Sequence, residues 1–306
     1  MSDPIDPTNS TSAALNRRAF VGLSAAAAAT AANVSGALAQ SETYGKPHPP
    51  IAAEDDPSIA TSRPQINSPG RTLDAYYASP KSAGPQTPGI VLVHHVWGVD
   101  SQMRDVARRL AKQGYIVVVP DLYSGLNAPG GDGATDIARF RPFAQQLVDS
   151  VVDGDLASAA DFLHSGAGSA PMKIGVLGFC GGGLIALRQT VDNATAFKAA
   201  VVFYGKIRYS TDGNDARGRI PPIGIAYAEE IGMPLLGNYG TRDTSIPADD
   251  VRALAQRLAE LRKPHDLKLY DEAGHAFFDD TRPSYVASAA DDAWIRTLGW
   301  FGKYLH

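Results

Sequence analysis

Two patterns of hydrophobic and polar positions take turns along most of this chain. The first is a short continuous apolar run: GIVLVHH (89–95), YIVVVPDLY (115–123), MKIGVLGF (172–179) and FKAAVVFYG (197–205). Runs of this length predict strands covered on both faces, as in a parallel sheet. PLLGNYGTRD (234–243) and DLKLYDEA (266–273) read as further strands, and RTLDAYYASP (71–80) as an early one that breaks at Pro80. The second pattern has helical spacing. In DSQMRDVARRLAKQG (100–114), Met103, Val106, Ala107, Leu110 and Ala111 share one face, and Gly114 ends the helix. The stretch 136–166 predicts one or two helices, and 181–191, 247–263 and 287–305 one each. Such regular alternation predicts an α/β fold, a mostly parallel central sheet with helices on both faces. No internal repeat and no second-domain boundary interrupts it, so residues 71–306 are expected to form a single domain.

The first residues fall outside this alternation. Arg17 and Arg18 precede an alanine-rich apolar run that ends in Ala37-Leu38-Ala39, a small-x-small cleavage pattern. Residues 1–39 therefore resemble a bacterial twin-arginine export signal. This predicts a precursor handled by the twin-arginine machinery, and a periplasmic or secreted mature protein with no membrane attachment once the signal is cleaved. Residues 40–70, rich in Pro, Ser and charge, read as an extended, loosely attached arm.

Composition narrows the chemistry. The 306 residues carry a net charge of −4 and no run of Lys and Arg, which argues against a nucleic-acid partner. The seven histidines show no zinc-ligand spacing, and the single cysteine excludes an intrachain disulfide and a cysteine-based zinc site. Neither a metal nor an organic cofactor is expected. A lone thiol in an exported protein is either buried and inert or kept for its reactivity.

That thiol, Cys180, stands where a predicted strand meets a predicted helix. Gly178-Phe179-Cys180-Gly181-Gly182 fits the nucleophile elbow G-x-Nuc-x-G, with cysteine in the usual place of serine. Glycine at 178 and 182 allows the tight turn, and the N-terminus of the following helix favours the thiolate. Asp243 follows one later strand, and His275, in DEAGHAFF, follows the last. Nucleophile, acid and histidine thus come in the chain order of the α/β-hydrolases, each at a strand end. The residue types predict a Cys-His-Asp triad. His275 would take the thiol proton, Asp243 would orient the imidazole, and the Gly181 and Val96 N–H groups would form an oxyanion hole.

HHVWGVD, LAKQGYIVVVPDLYSG, DGDLASAADFL, GVLGFCGGG, GTRDTSIP and EAGHAFF together resemble the dienelactone hydrolase family over about residues 88–302. The resemblance implies an α/β-hydrolase fold and cofactor-free hydrolysis of small-molecule esters or lactones. It also implies Cys180, Asp243 and His275 as the triad. Two positions depart from the family pattern. A glutamate that helps form the thiolate is replaced by His95, which is expected to tune the thiol in its stead. An arginine four residues after the triad histidine, which holds a substrate carboxylate, is replaced by Asp279; Arg139, Arg141 and Arg282 are the candidate substitutes. The same triad could serve an acyl transferase or a thioesterase, and the scaffold could also be that of a non-catalytic exported binding protein.

Overall fold

The computed structural model describes residues 44–165, 173–208 and 226–306. The export-signal reading of residues 1–39 and the start of the arm lie outside the described residues.

Among the described residues the sheet has nine strands: β1 Ile59–Ser62, β2 Gln65–Ser68, β3 Arg71–Pro80, β4 Gly89–Val93, β5 Ile116–Pro120, β6 Ile174–Phe179, β7 Ala199–Phe203, β8 Leu235–Gly240 and β9 His265–Tyr270. The path through the sheet runs β1-β3-β5-β4-β6-β7-β8-β9, and β2 pairs with β3. From β5 to β9 every pairing is parallel, whereas β1, β2 and β5 each lie antiparallel to β3. Strands β4, β5, β6 and β7 are buried at every residue, as their unbroken apolar runs require.

Among the described residues there are six α-helices: α1 Ser101–Lys112, α2 Arg141–Gln146, α3 Asp149–Ser165, α4 Gly181–Asp192, α5 Ala248–Glu260 and α6 Ala287–Leu305. The predicted face of α1 (Met103, Val106, Ala107, Leu110 and Ala111) is fully buried. Asp100 caps its start by accepting the Met103 N–H at 3.0 Å, and Gly114, with φ +93°, follows its end. The two faces of the sheet can be told apart at adjacent residues of β6. Phe301 and Leu305 of α6 pack over Gly175, while Leu163 of α3 packs over Gly89 of β4 beside Ile174. Successive residues of a strand point to opposite faces, so α3 and α6 cover opposite sides. Helix α1 shares the α6 side, where the Arg109 guanidinium lies 4.8 Å from the Trp294 ring centre. Helix α4 shares the α3 side, where Arg188 bonds Asp149 and Asp153.

The arm is tied down more firmly than its composition suggests. Its residues 59–62 and 65–68 form β1 and β2 against β3, with Ile59 and Ile66 in the core. Upstream, the Ala52 N–H donates to Asp105 Oδ1 at 2.7 Å, and its carbonyl accepts from Arg108 Nε at 2.6 Å. A few buried anchors and edge-strand pairing hold a segment whose average composition is that of a loop.

Candidate active site

The elbow forms as its glycines predict. Cys180 sits between β6 and α4 at φ 55°, ψ −116°, a conformation that costs energy for any residue with a Cβ. The backbone around it is packed to contact. A Cβ on Gly178 would lie 2.0 Å from the Gly182 carbonyl oxygen, and one on Gly182 would lie 2.3 Å from that of Val93. The Cys180 N–H is fixed by the Phe203 carbonyl at 3.0 Å. Below the turn, Phe179, Phe203, Tyr204, Phe277 and Phe278 form an aromatic floor with ring-centre separations of 4.6 to 6.4 Å. This floor packs the loop that carries His275 against the ends of β6 and β7.

Three side chains from three strand ends meet above that floor. His275 Nε2 lies 3.1 Å from Cys180 Sγ, and its Nδ1 lies 2.7 Å from Asp243 Oδ2. The other Asp243 oxygen accepts the Ser245 N–H at 2.8 Å and its hydroxyl at 2.6 Å. Burial pushes the Cys180 thiol up, but the hydrogen bond from His275 and the Gly181 N–H outweigh it and leave the thiol below its ordinary value. Burial pushes His275 down, yet the bonds to Asp243 and to Cys180 win and raise it to about 10. Burial likewise raises Asp243, and the stronger bonds from His275 and Ser245 hold it below the usual carboxylate range. All three shifts favour an imidazolium between a thiolate and a carboxylate.

Val96 and Gly181 line the same cavity as Cys180. The peptide between His95 and Val96 is oriented by His94. The Leu122 N–H donates to His94 Nε2 at 3.1 Å, so the ring proton is on Nδ1, which donates to the His95 carbonyl at 2.7 Å. Burial keeps His94 below its ordinary value, and therefore neutral. Fixing that carbonyl directs the Val96 N–H the opposite way, because the peptide is planar and trans.

His95 lines the same cavity as Cys180, but its ring nitrogens are directed elsewhere. His95 Nδ1 accepts the Trp97 N–H at 3.3 Å, and its Nε2 faces Asp100 at 3.5 Å. Among the described residues no hydrogen bond or ion pair joins His95 to Cys180. The candidate arginines separate. Arg141 lines the cavity, whereas Arg139 is exposed on a 3-10 turn outside the cavity lining. Arg282 donates to Asp279 at 2.8 Å and to the Ala134 carbonyl at 2.9 Å, and lies 4.2 Å over the Trp97 ring. It clamps the histidine loop to the loop after β4 and does not line the cavity. Asp279 is itself buried, accepting from Arg282 and Thr281.

Sequence reasoning missed Ser245, His94 and Tyr204. Tyr204 is buried at φ 41°, with its ring 5.2 Å from that of His275. The only signals were position: Ser245 two residues past a candidate acid, His94 beside a candidate tuning residue, and Tyr204 at a strand end before a glycine.

The strand order, the elbow after β6 and the placing of Asp243 and His275 after β8 and β9 define an α/β-hydrolase fold. Within that class the chain belongs to the dienelactone hydrolase family, whose model matches residues 73–305. It is 34% identical to a "Putative carboxymethylenebutenolidase" of Salmonella typhimurium over 84% of this chain and 92% of that one. A protein of the same description from Escherichia coli K12 is also 34% identical, over 83% and 91%. A solved structure from Klebsiella pneumoniae, described as a "Putative Dienelactone Hydrolase", superposes with a TM-score of 0.71 at 33% identity. It covers 80% of this chain and 99% of that one. The chain is a hydrolase acting on ester or lactone bonds.

Proposed function

We propose that this hydrolase works through an acyl-enzyme on Cys180. The observation that carries the reading is the bridge of His275 between Sγ at 3.1 Å and Asp243 at 2.7 Å. The thiolate attacks the ester or lactone carbonyl, and the oxyanion that forms is held by the Gly181 and Val96 N–H groups. The imidazolium gives its proton to the departing alkoxide. A water then adds to the thioester carbonyl, His275 takes its proton, and the acid leaves as Cys180 regains the thiolate. Asp243 keeps the imidazole oriented and stabilises its charged form.

Cys180→Ala is expected to lower kcat/KM for a p-nitrophenyl ester by roughly 10³ or more. Wild-type protein quenched during turnover should carry one acyl mass on the Cys180 peptide. Full activity in Cys180→Ala, or an unmodified Cys180 peptide at saturating substrate, would refute the covalent route.

The proposal extends to the address of the enzyme. Residues 1–39 act as a twin-arginine export signal, a reading supported by Arg17-Arg18, the apolar run and the Ala37-Leu38-Ala39 triplet. Exported protein should begin near Gln40, and replacing both arginines by lysine should hold it in the cytoplasm.

A further inference from the structure

Cys180 opens into a cavity of about 630 Å³ that has two unlike sides. The chain path separates them. Cys180 follows β6, and His275, Asp243 and Lys206 follow β9, β8 and β7, all to one side of it. On the other side, toward β4 and β5, the wall comes from the loop after β5, from the 137–152 segment and from the first two turns of α4. That wall is largely apolar, built from Leu122, Ile137, Leu147, Val152, Leu184 and Ile185, with Arg141 and Gln145 at its exposed rim and Asp149 paired with Arg188. Gly181, beside the thiol, widens the entrance, since a Cβ there would meet nothing within 4 Å. The arm ends at Arg188, eight residues along α4 from Cys180 and about 12 Å away at the rise of a helix. Its guanidinium is already held by Asp149 at 2.8 Å, Asp153 at 2.9 Å and Asp192 at 3.0 Å. A substrate carboxylate reaching that end would meet three aspartates around one arginine, an arrangement that repels it.

The two sides correspond to the two halves of an ester. His275 must protonate the departing oxygen, so the leaving group lies on its side, toward Lys206 and Thr244. The acyl group then extends the opposite way, into the apolar arm. Resting on the covalent reading above, we infer that this enzyme is specific for esters of medium-length acyl chains whose apolar tail is housed between α4 and the 137–152 segment. An extended acyl chain advances about 1.3 Å per carbon, so eight carbons span about 9 Å and, with the bond to sulfur, fit within the arm. A compact anionic lactone would leave most of the arm unfilled.

The test is a series of p-nitrophenyl esters from acetate to dodecanoate with the purified chain. A matching series of alkyl acetates places the added carbons on the leaving-group side. In the acyl series kcat/KM should rise by about fourfold per methylene, the factor for burying one CH₂, and stop rising near eight carbons. The alkyl acetates should show no comparable rise. Ala144→Trp, at the half-exposed lip of the arm, should lower the octanoate-to-acetate ratio at least tenfold, and Leu147→Asn should lower it in the same direction. If neither variant folds, the wild-type series decides alone. An acyl profile that is flat or falls with length, or a rise confined to the alkyl acetates, overturns the inference. Cys180-dependent acetate hydrolysis with such a flat profile would sink this inference and leave the covalent reading standing. Absence of an acyl mass on Cys180 would sink that reading as well.

Discussion

His275 Nε2 lies 3.1 Å from Cys180 Sγ, and the rest of the site is arranged around that contact. The residues are 95 positions apart in sequence and come from loops after β6 and β9. The aromatic floor and the Asp243–Ser245 turn fix the imidazole from behind, while the elbow fixes the sulfur from below. The pair is therefore set before substrate arrives, which removes the entropic cost of assembling it during reaction.

The charge state of the pair can be read by alkylation with iodoacetamide. Cys180 lies below its ordinary value and His275 is pushed up to about 10, so the thiolate persists on the acid side of a normal thiol titration. The midpoint of the rate-against-pH curve should fall below the free-cysteine value of about 8.5. In His275→Ala the attraction is lost while the burial stays, so the midpoint should move up past that value. Asp243→Asn should move it part of the way. A wild-type midpoint at or above that of free cysteine would contradict the ion pair.

His95→Ala should leave the same alkylation curve unmoved. The sequence put this histidine where it could tune the thiol, but its ring faces Asp100 and the Trp97 N–H. A shift of the midpoint by about one unit, equivalent to about 1.4 kcal/mol, would restore the tuning role.

His94→Ala should impair turnover more than binding. Without the ring, the His95 carbonyl keeps only the longer bond from the Gly98 N–H at 3.2 Å, and the Val96 N–H is held less firmly in its direction. We expect kcat to fall by about tenfold to a hundredfold with KM little changed, less than the 10² to 10³ typical of deleting an oxyanion donor outright. His94→Gln, which still has a donor and an acceptor, should recover part of the loss. Equal effects on kcat and KM in the alanine variant, with no recovery in the glutamine variant, would reduce His94 to packing.

Gly178→Ala should destabilise the fold itself. Its methyl would lie 2.0 Å from the Gly182 carbonyl oxygen, which belongs to the backbone and cannot swing aside. A loss of about 4 kcal/mol or more, or failure to fold, is expected in urea titrations. Gly181→Ala, where the same construction meets open space, should cost far less stability.

The sequence by itself determined whatever depends on neighbours along the chain. GIVLV and IVVVP must be buried on both faces because nothing in them is polar enough to face water. G-x-C-G-G must turn tightly because the turn admits no Cβ at its flanks. The order of Cys180, Asp243 and His275 follows from which strand each one ends. Tertiary structure decided what depends on partners distant in sequence. IATS and QINS, four residues each with mixed polarity, carry too little periodicity to read as strands, and become β1 and β2 only because β3 offers them an edge. His95 and Arg282 had the right types at plausible positions. A loop side chain, however, points where its hydrogen bonds lie, and Asp100, Trp97, Asp279 and Ala134 captured them. The apolar arm beside Cys180 left no trace in the sequence either, since its lining comes from three separate segments that only the folded chain brings together.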